Sequence, residues 1–435
     1  MTNAIVSPFS PESLSLFWPI LVEGMLVSVA LGLVGCFLVV RGMSLLGDAL
    51  SHSVLPGIVI GFLIGGSLHS PWILVGATIV GLGAAVLVQT VQHHSRVKED
   101  ASLGIVFTSL FALGVVMINL YAGRADLDPG CVLYGNIEYL IFDSGALWVM
   151  ASILAMILTG LFLFYRPLVV STFDPGLAVS LGIPVQLVHY GLMAALSLTT
   201  VASFEAVGAI LAVALLVMPG ATARLWTDRM PSMLLLAAAH GVVSTLLGYW
   251  LSHPDVLNTS ASGAICVAGF ALFLVSWLAS PRHGLLPRAR VRRRLARVMA
   301  AENLLKALED LPKGPAGEVA EPALAAGLGV KGGPLAATVG RALRRGWVSR
   351  TPAGVALTAA GREQSRRLVR AHELWERYLR HEVGVEPDHV EDAAEWIEHY
   401  LNDENMDDLD RLLAGGEAKP ISGPSRESGA RPAAG

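Results

Sequence analysis

Charge is what this chain has least of. Asp, Glu, Lys and Arg make up 15% of its 435 residues, where an ordinary soluble domain carries about 25%. A mean hydropathy of +0.58 points the same way, so water is excluded as the solvent for most of the chain and a bilayer is expected in its place. The shortage is uneven, because only 20 of the 66 charged residues fall in residues 1–280. Two physical regimes therefore share one chain. The small net charge of −4 supplies no global attraction for nucleic acid. Cysteine is also scarce: Cys36 and Cys266 lie inside apolar runs and Cys131 stands alone in a loop. That pattern excludes a disulfide framework or a thiolate zinc cluster and leaves packing as their role. No G-x-x-x-x-G-K-[ST] loop occurs, so the chain lacks the phosphate cradle needed to hydrolyse ATP. No grouping of nucleophile, base and orienting residue is recognisable, and an enzyme is not expected.

Long apolar runs are what the chain does have. A helix needs about 20 apolar residues to cross the hydrocarbon core, and candidate runs fall near 17–40, 53–66, 71–92, 103–121, 145–165, 187–203, 206–222, 231–252 and 262–280. That predicts eight or nine spans, with 42–66 able to be broken or re-entrant because Gly, Asp and His interrupt it. The first run is long and followed by further spans, so no cleavable signal peptide is expected. Arg41, Arg96 with Lys98, Arg166, Arg224 with Arg229, and Arg288–Arg294 all fall on one side if every run crosses, which puts the C-terminus in the cytoplasm. The expected division is a transmembrane domain over 1–286, a basic juxtamembrane linker at 287–297, then a winged-helix-like domain over 298–360. A helical domain at 361–415 and a Gly-, Ser-, Pro- and Ala-rich tail at 416–435, expected to be disordered, complete it. The linker arginines read as a topology anchor beside anionic lipid.

Ionisable groups at membrane depth are expensive and are functional candidates by default. Asp48 and His52 stand four residues apart in GDALSHSVLPG, so carboxylate and imidazole share one helix face. Such a pair suits a divalent first-row ion held by mixed oxygen and nitrogen donors, or else it is an internal pair that fixes packing. His240 is either a route ligand or a hydrogen-bonded packing histidine. Asp126 and Asp128, in the loop ADLDPGCVLYG, form an acidic entrance for cations or a solvated loop face.

GDALSHSVLPG, the segment STFDPGLAVSLGIP at 171–184 and VASFEAVGAILAVALLVMPGATARL at 201–225 resemble, in order, three signature stretches of the zinc/manganese/iron permease family of ABC transporters. The similarity runs through about residues 15–286. It implies an all-α polytopic importer fold, a metal route through Asp48 and His52, and a coupling helix around Phe173, Asp174 and Pro175. It also implies a separate ATP-binding subunit, an extracytoplasmic metal-binding protein and a second permease copy. Glu205 stands where family members more often carry an amide, and either lines the route or stays protonated against a neighbour. Manganese, zinc and iron members share the stretch, so it does not choose the ion.

Beyond the membrane part, ENLLKALEDL, EPALAAGLGV and PLAATVGRALRRG read as helix, turn, helix, and WVSRTPAGVALTAAG as the two short strands of a wing. His372 and Glu376 are four residues apart, and Glu395, Glu398 and His399 share a face of a second predicted helix (388–401) with Glu391 nearby. Two such faces supply oxygen and nitrogen ligands suited to Mn²⁺ or Fe²⁺, or are solvated helix faces. From about 298 to 412 the chain is similar to the diphtheria-toxin-repressor and manganese-transport-regulator family, carried by HELWERYLRHEVGV and EDAAEWIEHYL. In that family His372, Glu395, Glu398 and His399 fall on ligand positions, and the carboxylate at 395 is the manganese-type choice. Asn303 and Lys306 stand where an acidic pair is usual, so a full two-metal site is not implied. The leading face of the would-be recognition helix has Gly332, Gly333, Ala336 and Ala337, which have nothing to read a base edge with. Arg341, Arg344 and Arg345 come late in it and reach phosphates only. The expectation is a permease importing Mn²⁺, Zn²⁺ or Fe²⁺ across the inner membrane, with a metal-sensing cytoplasmic tail. The alternative is a membrane-tethered, metal-dependent DNA-binding regulator.

Overall fold

The computed structural model describes residues 11–66, 70–121, 145–315, 317–330, 332–380 and 403–413, without the side chains of Asp48 and Glu205 among others. Asp126, Asp128, Cys131, Glu391, Glu395, Glu398, His399, the predicted helix 388–401 and the tail 416–435 lie outside the described residues. The chain divides into two compact units, Met1–Arg288 and Ala289–Gly435.

In the first unit, eight helices among the described residues are long and apolar enough to cross a membrane. They are α1 (Pro11–Arg41), α4 (Pro71–His94), α5 (Glu99–Tyr121), α6 (Gly145–Phe173), α8 (Val185–Val207), α9 (Ala209–Trp226), α10 (Met230–Ser252) and α11 (Ala261–Ala279). A six-residue helix, α7 (Pro175–Ser180), joins α6 to α8. The segment 42–66 resolves into α2 (Ser44–Ser53) and α3 (Leu55–Gly65), the second filling most of the predicted run 53–66. At 1.5 Å per residue, α3 is about half as long as a crossing requires. Sequence explains the break. Pro56 has no amide hydrogen for the carbonyl of His52 four residues earlier, so α2 stops and the proline opens α3 instead. Counting α2 and α3 as one broken crossing keeps Arg41 and Arg96 on the same side, as the charge rule requires.

Small residues let the broken segment seat against an intact helix. Gly57 and Gly61 are four apart on α3, and a Cβ on either would stand 2.4 Å from a backbone oxygen of α4, that of Gly76 or Trp72. The same device joins α1 to α9, where a Cβ on Gly35 would lie 1.8 Å from the Leu216 carbonyl oxygen. Around these contacts sits one apolar core that includes Val27, Leu31, Phe37, Leu196, Leu211 and Leu216. Helix α6 departs from helical geometry at Phe164 (φ −107°, ψ 18°), three residues before Pro167, because a proline removes a hydrogen bond from the preceding turn.

Helix α12 (Leu285–Asp310) contains the basic stretch expected as a linker, which is helical because Arg, Leu and Ala favour helix. The second unit then runs β1 (Glu318–Val319), α13 (Glu321–Gly327), α14 (Gly333–Arg344), β2 (Val348–Thr351) and β3 (Gly354–Leu357). The sheet order is β1-β3-β2, antiparallel, with Val348 opposite Leu357 and Thr351 opposite Gly354. Leu304, Leu305, Leu308, Val319, Leu324, Val339 and Val355 form its core. Helix α15 (Ala359–Tyr378) starts where the Thr358 hydroxyl accepts the Gly361 N–H at 3.0 Å. Helix α16 (Asp403–Leu413) packs Met406 with Ala371 and Leu374.

Overfilling the α3–α4 seam tests this architecture. Gly61→Leu should destabilise the protein by about 1–3 kcal/mol, read as a lower midpoint of thermal unfolding in detergent. Gly83→Leu on α4, where nothing lies within 4 Å of the new Cβ, should not.

Candidate functional site

Helix α2 carries the first candidate pair. It packs against α5, α4, α8, α9 and α1, so the short helix is enclosed by protein on several sides. The approach to α9 is close, since a Cβ on Gly47 would meet the Leu216 side chain at 2.0 Å. His52 sits between the rings of Phe107 and Phe111, with centroids 5.4 and 5.8 Å away, the second edge-on. Two aromatic rings restrict the imidazole's rotation and keep it on the α5 side of α2. Asp48 lies on the same helix one turn earlier. The break at Pro56 leaves His52 in the last turn of α2, where the free carbonyl ends of a helix carry partial negative charge and favour a cation.

The other predicted membrane residues sit elsewhere. His240 is buried on α10, with Nδ1 3.5 Å from the Ser244 hydroxyl and the Gly269 backbone also facing the ring. Helix α10 packs on α1, α9 and α11, and the buried Nε2 of His240 has no hydrogen-bond partner among the described residues. Glu205 belongs to the last turn of α8. Among the described residues, no three His, Cys, Asp or Glu side chains converge as a metal-binding group. Glu23 on α1 is a buried acid that pattern reading passed over, although it is only 1% exposed. The signal was available, because it is the one Asp, Glu, Lys, Arg or His within the apolar run 17–40.

Phe173, Asp174 and Pro175 stand together at the α6–α7 junction. The Asp174 carboxylate accepts the Leu177 N–H at 2.9 Å and so caps α7, and Pro175 occupies the first helical position. Phe173, Val179 and Leu181 are each more than half exposed. Apolar side chains therefore gather in the open on a polar-capped loop. A second polar cluster sits between α9 and the end of α11. Asp228 pairs with Arg282 at 3.0 Å and with His283 at 3.2 Å, and Arg288 reaches His283 at 3.0 Å. The hydrogen bond from His283, followed by the arginine, holds the Asp228 carboxyl below the usual carboxylate range.

In the second unit, His372 Nε2 lies 3.5 Å from Glu376 Oε1, and the other carboxylate oxygen accepts from Arg380 at 3.2 Å. Both residues are about one-fifth exposed, so a pair of nitrogen and oxygen donors faces the surface of α15. Three arginines on or near the would-be recognition helix are engaged within the unit, while Arg344 is exposed. Arg341 donates to the Thr338 hydroxyl at 2.8 Å, Arg345 lies 4.6 Å above the Trp347 ring, and Arg350 of the wing pairs with Glu321 at 2.8 Å. These contacts lend nothing to the DNA-binding alternative.

Comparison with known proteins follows the same division. The model of the ABC 3 transport family matches residues 13–280, and that of the iron dependent repressor, metal binding and dimerisation domain matches residues 358–425. The manganese transport system membrane protein MntC of Halalkalibacterium halodurans is 46% identical over 269 residues, covering 62% of this chain and 88% of that protein. The manganese transport system membrane protein MntD of Bacillus subtilis is 42% identical, over 62% of this chain and 94% of its own length. The zinc transport system membrane protein TroD of Treponema pallidum is 38% identical, over 62% and 75%. Among solved structures, PsaBC from Streptococcus pneumoniae in complex with Fab is similar with a TM-score of 0.56 and 33% identity, over 62% of this chain and 95% of that one. With a family match across the whole bundle and a repressor-type segment behind it, the chain belongs to the ABC 3 transport family, as a multi-pass permease subunit with a metal-binding and dimerisation-like C-terminal part.

Proposed function

We propose that this permease imports a divalent first-row cation, Mn²⁺ first among them, and that Asp48 and His52 form the step at which the ion sheds water inside the bundle. The observation that carries the reading is the broken crossing. An imidazole bracketed by aromatic rings lies in the last turn of a helix interrupted at Pro56, one turn after Asp48 and at the carbonyl that the proline leaves free. Oxygen and nitrogen donors of this kind suit Mn²⁺, Fe²⁺ or Zn²⁺, and similar proteins are described as manganese and zinc transport components. In this family ATP is hydrolysed by a separate subunit. The exposed apolar side chains of Phe173, Val179 and Leu181 support docking of that subunit at α7. A second permease copy and an extracytoplasmic metal-binding protein complete the proposed importer, with the C-terminal part in the cytoplasm.

The tail is proposed to bind the imported ion and to restrain further uptake. His372 and Glu376 fit as two of its ligands, with Glu391, Glu395, Glu398 and His399 as the further donors. Linkage then requires that the ion bind the restraining arrangement more tightly than the permissive one.

Uptake of Mn²⁺ into proteoliposomes containing the ATP-binding subunit tests the route. Asp48→Ala and His52→Ala should each lower it by about tenfold or more, and undiminished uptake in both would sink the assignment. Asp174→Ala, which removes the α7 cap, should cost about 1 kcal/mol of local helix stability and weaken co-purification of the ATP-binding subunit, whereas Asp174→Asn retains a capping oxygen and should restore it. Deleting residues 298–435 should abolish inhibition of uptake by Mn²⁺ on the tail side. Equal inhibition with and without the tail would end the feedback reading.

A further inference from the structure

The cytoplasmic end of α1 holds a side chain that none of the preceding roles uses. Arg41 is the last residue of α1, and the helix closes there in a Schellman turn. The Met43 N–H donates to the Leu38 carbonyl at 2.9 Å, the Gly42 N–H to the Val39 carbonyl at 3.3 Å, and Gly42 takes φ +75°. From that fixed point the guanidinium, partly buried, reaches two other helices. Its Nε donates to the Thr172 hydroxyl at 3.1 Å, one terminal nitrogen to the Ser171 hydroxyl at 3.2 Å, and the other to His189 Nδ1 at 3.4 Å. Both hydroxyls spend their own hydrogen on the Leu168 carbonyl, at 2.6 and 3.1 Å, which leaves their lone pairs for the arginine. A guanidinium can only donate, so His189 Nδ1 is the acceptor and its proton sits on Nε2.

The position of these partners matters more than their number. Thr172 is two residues before Asp174, the cap of α7, and His189 lies in the first turns of α8 just after α7. On the other side, only Gly42 and Met43 separate Arg41 from α2, which carries Asp48 and His52. One rigid, forked side chain therefore spans from both flanks of the partner-facing α7 to the root of the broken crossing. A glycine with positive φ is the joint between them. Lysine keeps the charge at this place but offers a single nitrogen in place of the planar fork.

We propose that Arg41 is the positioning residue that transmits displacement of α7 to α2, so that closure of the ATP-binding subunit alters the setting of the Asp48–His52 step. This rests on α7 being the docking element and on the route proposed above. Two discrete arrangements of one packed element, biased from both ends, are what such coupling needs. The Gly42 joint lets α2 turn while α1 stays seated in the core.

The test uses the full chain with its ATP-binding subunit in proteoliposomes, Mn²⁺ as probe, and two readouts. Arg41→Lys should leave the ATPase rate within about twofold yet lower the number of Mn²⁺ ions moved per ATP hydrolysed by about fivefold or more, the smallest factor expected of a lost coupling term. Leu45→Cys, exposed at the start of α2, should take up a thiol reagent at different rates in the nucleotide-free and vanadate-trapped complexes, above the labelling of the parent protein. In Arg41→Lys that difference should vanish. An arginine that only anchors the bundle would alter neither the ratio nor the nucleotide dependence. Retention of both in Arg41→Lys overturns the proposal. Should that variant fail to assemble, Thr172→Val keeps the arginine, removes one acceptor and decides the same question. A wild-type complex that moves neither Mn²⁺ nor another first-row ion would overturn the metal reading instead. The labelling arm, which needs nucleotide but no cargo, then decides the coupling by itself.

Discussion

Backbone groups freed inside a bilayer have no water to bond, so a helix can be interrupted there only where other protein covers the break. The junction between α2 and α3 is that constraint in this protein, and much of the surrounding packing answers to it. Pro56 imposes the interruption, and Ser53 and Val54 beside it are almost completely buried. The glycines at 57 and 61 draw α3 against α4 until backbone nearly touches backbone. Phe107 and Phe111 of α5 close around His52 from another side. A continuous crossing would have needed none of this. It would also have had no helix end at His52.

Polar ties at the side where the arginines gather are organised differently from those deep in the bundle. Buried hydroxyls such as Thr199, Thr200 and Ser203 bond the carbonyl one turn back in their own helix, and Thr245 joins two helices through the Gly24 carbonyl. Arg41 instead joins three helices, and Arg224 of α9 donates to the same Val39 carbonyl that closes the end of α1. The Asp228 cluster links the α9–α10 turn to the chain just after α11, but it is exposed, and exposed ion pairs contribute little to stability. Its geometry orders a turn more than it stabilises a fold. Contacts of the Arg41 kind, partly buried and multidentate, are better suited to carrying motion from one helix to the next.

The second unit pairs a winged-helix arrangement with arginines bonded inside the unit. Its three-stranded sheet and the helices α13 and α14 form the winged-helix arrangement, with a well-filled core. Yet Arg341, Arg345 and Arg350 turn to a hydroxyl, an indole and a carboxylate of the same unit. The leading face of α14 presents glycine and alanine. Shape is kept by burial of apolar residues, whereas nucleic-acid binding depends on exposed donors, so the one does not imply the other.

Much of this was legible in the linear chain, because its information is local. Hydropathy over about 20 residues finds a span, and eight of the nine predicted runs are long helices. Four-residue spacing places Asp48 with His52 and His372 with Glu376 on common faces, and the wing strands follow from their flanking turns. Other features depended on residues far apart in sequence. Arg41 looked like a topology charge until Ser171, Thr172 and His189 were found around it, some 130 to 148 positions away. His240 was one ionisable residue in a span until packing set Ser244 beside its Nδ1. Glu23 looked like one polar letter in an apolar run until burial singled it out. The sequence by itself determined which segments enter the bilayer and which residue types they carry, since transfer from water depends on local composition. Only the tertiary structure decided which of those side chains face one another, because a guanidinium or an imidazole takes its role from the partners that packing brings within about 3 Å.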